Sequence, residues 1–357
     1  MKPFTLCLTV LGLAAAPMGL RAETQHLAPT VFYNTLSATH PPVLRIKSGD
    51  RVVTTTVDGA GAGADGKTVA KGSNPQTGPF YIEGADPGDL IVVTIEKLAP
   101  NRTEGTSPSV MAASAIDSGG LANKAAARVP WTIDMAKGVV RLDLSSVIRN
   151  VDWRTRYSSS LYELPLRPML GSLGVAPASK DAPDPTGPGP FGGNLNYAGV
   201  TAGAKVMLPV YQPGALLFLG NGKARQGDGE VGGGGIDTSM DVEFSVELVK
   251  KKEWPHSSVM RPSTVAGEFE IEWPRIETTD YVMAVGSAPS LLPALQHATT
   301  ELHHWLDDDY GFSERSLSIF MGQAIEYDVA AVTDQSFTVV AKVRKSYLPR
   351  EAEGKSK

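Results

Sequence analysis

Thr77-Gly-Pro-Phe-Tyr-Ile-Glu-Gly-Ala-Asp-Pro-Gly-Asp-Leu-Ile-Val-Val-Thr-Ile95 reads as strand, turn and strand. Residues 79–82 are apolar and aromatic, residues 84–89 carry the Gly, Asp and Pro of a turn, and residues 90–95 are rich in β-branched side chains. The same pattern runs outward on both sides. Upstream, residues 43–46 and 51–57 flank the turn Lys47-Ser-Gly-Asp50. Downstream, strands are expected at 131–135, 139–144, 205–210, 215–219 and 241–249, so residues 23–252 form a β-rich body.

After Trp254 the character changes. Strands at 268–273 and 281–285 precede the only convincing helices, 289–308 and 313–332, and a last strand at 336–343. The expected class is therefore β-rich α+β, with a smaller C-terminal α+β portion (253–349) containing a helix pair, and a flexible tail (350–357). Composition agrees. Gly (37) and Pro (26) are abundant, which favours turns over long helices. The formal charge of -5 is modest and the basic residues are not massed, which argues against a nucleic-acid partner.

Residues 1–22 read as a cleaved export signal: Lys2, an apolar run from Phe4 to Leu20, and small Ala22 before polar Glu23. Pro17 and the shortness of the run count against an uncleaved anchor. A periplasmic or secreted location with no membrane span in the mature chain is the expectation. Lys2 and Arg21 leave with the signal, taking the charge from -5 to -7. The one cysteine, Cys7, lies inside it, which excludes thiol catalysis and cysteine-bound metal in the mature chain.

Two loop regions interrupt the body, 176–196 and 220–235, and the glycine-rich stretch 58–77 reads as a third. The densest polar cluster is Gly220-Asn-Gly-Lys-Ala-Arg-Gln-Gly-Asp-Gly-Glu230, directly after an apolar strand. Its glycines let the backbone approach a ligand closely, and Asp228 and Glu230 offer carboxylates as base or metal ligand. A solvated hairpin tip is the equal alternative. On the first C-terminal helix, His297, Glu301 and His304 share one face, suitable for a metal or simply for a solvated side. His40 and His256 either line the cleft or face water, and Arg154, Arg156, Arg167 and Arg225 either bind an anion or simply solubilise the surface. No serine-amidase motif accompanies Ser114, Ser145 or Ser239.

With these segments in view, the chain resembles the acetamidase/formamidase family. The likeness rests on the segment opening at Thr77, on Gly192-Gly-Asn-Leu-Asn196, Leu208-Pro-Val-Tyr-Gln-Pro-Gly-Ala215, Gln226-Gly-Asp-Gly-Glu230, Thr238-Ser-Met-Asp-Val-Glu-Phe244 and Tyr281-Val-Met-Ala-Val-Gly286. The resemblance implies a β-sandwich body, a homo-oligomer, hydrolysis of the carbon–nitrogen bond of small linear or cyclic amides, and a divalent metal, zinc or calcium, without an organic cofactor. It implies catalytic roles for Glu83 and Glu230, substrate binding by Asn194 and Gln226, and metal binding by Asp228 and Glu230; of the substituted positions, Lys223 is read as catalytic, standing where the family has the metal's charge, and Asn196 and Asn221 as substrate-binding. The departures lie in the same place. Where the family has G-G-N-x-D and G-D-x-H, this chain has Asn196, Asn221 and Lys223. Two carboxylates have become amides and an imidazole has become a cation, so a metal there loses ligands and meets like charge. The alternative is a non-catalytic periplasmic binding or scaffolding protein that retains the fold, with Lys223 in a structural ion pair.

Overall fold

The structure, a computed structural model, describes residues 22–117, 127–147, 159–179, 187–251, 272–333 and 336–349. The export segment apart from Ala22, the 350–357 tail, residues 268–271 of an expected strand, His256, Arg154 and Arg156 lie outside the described residues.

The described strands form a nine-stranded and a ten-stranded sheet. Arg51–Thr56, Met240–Val249, Leu90–Pro100 and Lys205–Pro209 lie side by side in the first; Gln76–Ile82, Leu217–Arg225 and Met169–Val175 are neighbours in the second. Period-two patterning explains how they pack, because Val52, Thr54 and Thr56 turn inward while Arg51 remains exposed. Val93, Ile95, Phe244 and Val246 from one sheet share a core with Phe80, Leu217 and Leu219 from the other. Phe80 meets Phe244 edge to face with centroids 5.1 Å apart, and each such buried ring contributes about 1.5–3 kcal/mol by area alone.

Helices Leu291–Tyr310 and Glu314–Ala324 pack on the nine-stranded sheet. Ala294, Ala298, Leu302, Trp305 and Leu306 recur at helical spacing and meet Val282, Ala284, Ala341 and Val343. Ser313 caps the second helix as its position suggests, its hydroxyl accepting from the Ser316 N–H. That helix ends at Ala324 rather than 332. Glu326–Ala331 is instead a strand beside Phe337–Arg344, with Tyr327 and Val329 alternating outward. Two more corrections fall near the site: residues 220–225 continue the Leu217–Arg225 strand, and Met169–Val175 is a wholly buried strand that alternation could not reveal.

The His297/Glu301/His304 face is structural. Glu301 is 1% exposed and accepts from Arg275 Nε (2.6 Å) and from the backbone N–H groups of Glu272 and Trp273, while His297 stacks on Trp273. Among the described residues, no group of three or more His, Cys, Asp or Glu could hold a metal ion. Breaking a buried pair leaves an uncompensated charge, so Glu301→Ala is expected to lose about 3–5 kcal/mol in urea unfolding; a loss under about 1 kcal/mol contradicts the assignment.

Candidate functional site

A buried polar cluster lies on the ten-stranded sheet where the Leu217–Arg225 strand meets the loops before Gln76, after Gly193 and after Arg225. Asn74, Gln76, Asn194, Asn196, Asn221, Lys223, Gln226, Glu230 and Asp237 are each at most 6% exposed. Gly171 and Gly220 make the floor that admits them. A Cβ at Gly171 would stand 2.6 Å from both Asn196 Oδ1 and Asn221 Nδ2, and one at Gly220 would stand 2.9 Å from Gln76 Oε1.

The carboxamides are joined in a chain. Gln76 Nε2 donates to the backbone oxygen (2.8 Å) and to Oδ1 (3.0 Å) of Asn74, and Asn74 Nδ2 reaches Asn194 Oδ1. Asn221 Nδ2 donates to Asn194 Oδ1 (2.7 Å) and Asn196 Oδ1 (3.2 Å). Asn196 Nδ2 donates to Glu230 Oε2 (2.8 Å), which also accepts from Thr333 Oγ1 (3.1 Å), and Gln226 Nε2 donates to the Asn196 carbonyl (2.8 Å). Asn74, Asn196, Asn221 and Glu230 all have left-handed φ, between 46° and 54°. Such φ is uncommon outside glycine, though asparagine tolerates it best; its concentration in this cluster marks a place where the fold overrides local preference.

Lys223 pairs with Asp237, which also accepts from Arg128 Nη2 (2.7 Å). Beside them Arg102 bonds Thr238 Oγ1 (3.2 Å) and the buried Asp58 carboxylate (2.5 Å). Burial by itself would lower the Lys223 pKa, but the Asp237 and Glu230 carboxylates outweigh it and hold the ammonium above the ordinary lysine value. Burial pushes Asp237 upward, yet Lys223 and Arg128 keep its carboxyl below the usual range.

The expected site residues divide. Lys223, Glu230, Asn194, Asn196, Asn221 and Gln226 are brought together. Glu83 is not: it is exposed, and the strand carrying it runs antiparallel, with Gln76 opposite Gly220 and Phe80 opposite Leu217. The N–H of Ile82 then meets the Gly214 carbonyl, so Glu83 sits beyond the opposite end of the strand from Lys223. A shared cleft for Glu83 and residues 220–230 is thereby corrected. Asp228 is exposed on the turn that carries Glu230 inward. Asn74, Gln76, Asp237 and Thr333 were missed; the Asn74-Pro-Gln76 run and the acid two residues after the glycine run at 232–235 are signals that could have found Asn74, Gln76 and Asp237.

This donor set does not fit a divalent cation. The Asn194 and Asn196 side-chain oxygens accept amide N–H groups, Glu230 Oε2 takes two donors, and a charged lysine stands beside the carboxylate.

The linkage has a definite sign. Lys223, with a raised folded pKa, stabilises the fold fully below about pH 10.4 and ceases to as pH rises through the folded value. Asp237, with a lowered one, contributes above about pH 3.9 and loses that as pH falls through its folded value. The pair therefore acts across the neutral range. Lys223→Met is expected to lose about 3–5 kcal/mol at pH 7 and to show a shallower acid limb below about pH 4. Equal or greater stability of the variant, by urea midpoints from pH 3 to 8, contradicts this.

Residues 170–343 match the Acetamidase/Formamidase family profile. A protein of Schizosaccharomyces pombe named as a formamidase is 27% identical over 213 residues, 49% of this chain and 51% of that protein, so the chain spans about half the length of this relative. A solved acetamidase from Yersinia enterocolitica is 27% identical, with 93% of this chain and 95% of that one covered at a TM-score of 0.73. An acetamidase from Bacillus halodurans shares the fold at 24% identity and a TM-score of 0.70, covering 90% and 98%. Residues 170–343 are thus similar to the Acetamidase/Formamidase family, on a fold shared with solved acetamidases.

Proposed function

We propose that this protein hydrolyses the carbon–nitrogen bond of small linear or cyclic amides at a site whose positive charge is Lys223 instead of a divalent metal. The observation that carries the reading is the buried Glu230 carboxylate, oriented by Asn196 and Thr333, beside a buried ammonium and among carboxamides suited to a neutral polar ligand. The kinship with a protein named as a formamidase and with solved acetamidases supports the reaction class.

In this reading Glu230 takes a proton from water as the water oxygen bonds to the amide carbon. The carbonyl electron pair moves onto oxygen, where the Lys223 charge stabilises it. Collapse breaks the carbon–nitrogen bond, and Glu230 returns its proton to the departing nitrogen. A linear primary amide then gives carboxylic acid and ammonia; a cyclic one opens to an amino acid. An exported location, resting on residues 1–22, is part of the same proposal.

The second reading, retention of the fold without the reaction, is favoured by one observation: Lys223 is already engaged by Asp237, inside the cluster. A panel of amides and lactams, assayed for ammonia or ring opening with metal content measured on the same sample, separates the two. Turnover without stoichiometric metal, reduced about 100-fold or more in Glu230→Gln, is expected. The triple variant Asn196→Asp, Asn221→Asp, Lys223→His is expected to gain zinc or calcium affinity. Silence of the wild type on every amide favours the second reading, and one tightly held metal per wild-type chain overturns the metal-free site.

A further inference from the structure

Asn74, Asn221, Lys223, Glu230 and Asp237 are each at most 6% exposed, so a ligand from solution reaches them only when part of the chain moves aside. Residues 58–74 are built to do so. The ends of this segment lie on the cluster: a Cβ at Gly59 would stand 3.5 Å from Asp237 Oδ2 and 3.8 Å from Asn221 Oδ1, and Asn74 belongs to the carboxamide chain. Residues 64–69 and 71–73 face solvent.

The segment is one stiff piece, because its two arms are joined by backbone bonds of 2.9–3.1 Å: Gly63 N–H to the Lys67 carbonyl, Val69 and Ala70 N–H to the Gly61 carbonyl, and Asn74 N–H to the Gly59 carbonyl. The arms touch at Gly61. Its φ is 85°, and a Cβ there would stand 2.1 Å from the Ala70 carbonyl oxygen, so only glycine fits. Apolar anchorage, by contrast, is weak. The apolar side chains of 58–74 are four alanines and Val69, which is 60% exposed, and among the described residues none of the five belongs to the apolar cores. Elements with so few buried apolar contacts open locally at far lower cost than the fold unfolds.

Arg102 grips the segment from the frame. Its Nη2 holds the Asp58 carboxylate (2.5 Å) and its Nη1 donates to the Gly63 carbonyl (3.2 Å), while Nε stays on the frame at the Glu104 carbonyl (3.0 Å) and Thr238 Oγ1 (3.2 Å). Asp58 Oδ1 accepts the N–H groups of Ala60 and Ala62, both at 2.9 Å, so one carboxylate ties the first arm to the guanidinium. The second arm is held by Asn34, whose Nδ2 donates to the Ser73 carbonyl (2.7 Å). The Arg102 and Asp58 side chains are only 8% and 7% exposed, so loss of either charge leaves the other buried without its counterion.

We propose that residues 58–74 are the gate of the cluster, hinged where they leave the Arg51–Thr56 strand and enter the Gln76–Ile82 strand, and that the Arg102–Asp58 ion pair is its latch. Opening draws Asn74 off Gln76 and Asn194 and uncovers Asn221 and the Lys223–Asp237 pair. The proposal rests on the amide-hydrolase reading for its biological use and deepens it, since the gate sets how often substrate enters. Arg102 touches no reacting atom; it is a positioning residue.

The test is hydrogen exchange together with acetylation of Lys223 by an N-hydroxysuccinimide acetate, both read by peptide mass spectrometry on the whole protein. Wild type is compared with Arg102→Gln and with the milder Asp58→Asn, which keeps the Oδ1 acceptor. Residues 58–74 are expected to exchange at least about tenfold faster than the Leu217–Arg225 strand in wild type. Both variants are expected to speed loop exchange and Lys223 acetylation by one common factor, about tenfold or more, with the Leu90–Pro100 strand and the Leu291–Tyr310 helix unchanged. Equal acceleration throughout the chain overturns the latch, because the pair is then a support of the whole fold. Faster loop exchange with Lys223 acetylation unchanged overturns the gate, and ammonia release from acetamide by the same samples then leaves hydrolysis standing alone. Acetylation that follows the loop, with no ammonia from any sample, upholds the gate and sinks the hydrolase reading.

Discussion

The candidate site depends on the buried ion pair between Lys223 and Asp237. An ammonium taken out of water is stable only against a carboxylate, and the pair spans neighbouring strands of one sheet, in direct register. Arg128 shares the Asp237 carboxylate and Glu230 adds a second negative charge near Lys223, so cations and anions offset one another. The rest of the cluster follows. Once charge is balanced by side chains, the adjoining positions are free to be neutral, and Asn194, Asn196, Asn221 and Gln226 occupy them.

Such a cluster is costly to build. Each left-handed residue outside glycine carries strain of about 1–3 kcal/mol, and the carboxamides need oriented partners in a dry interior. Bulky side chains at 171 and 220 would displace the amides that define the arrangement. The sandwich core, anchored by Phe80, Phe244 and their neighbours, supplies the surplus stability on which this strain is carried. The C-terminal helices form a second core around Trp305 and Leu302, and Glu301 there serves packing.

Much of the fold could be read from the chain because alternation and turn residues are local signals. Residues 79–95 gave two strands and their turn, and Ser313 marked a helix start. Met169–Val175 escaped because a strand buried on both faces has no alternation, and residues 326–331 were absorbed into a helix because only their pairing with Phe337–Arg344 makes them a strand. At the site, residues 220–230 and Asn196 were visible through motif resemblance. Glu83 failed because its motif is a turn at the far end of an antiparallel strand, a register that sequence spacing does not encode. Asp237 and Gln76 are brought to the cluster only by cross-strand pairing, so the local signals around them do not reveal their neighbours.

The central claim is that Lys223 is a permanent, ion-paired cation where the family resemblance implies a metal. Nitrogen-15 NMR of the Lys223 side chain, followed from pH 6 to 10 with and without zinc and calcium, tests it most directly. The account predicts an ammonium signal that remains charged through this range and does not shift with one equivalent of either ion. A Lys223 amine that is neutral at pH 7, or a signal moved by stoichiometric metal, would contradict it.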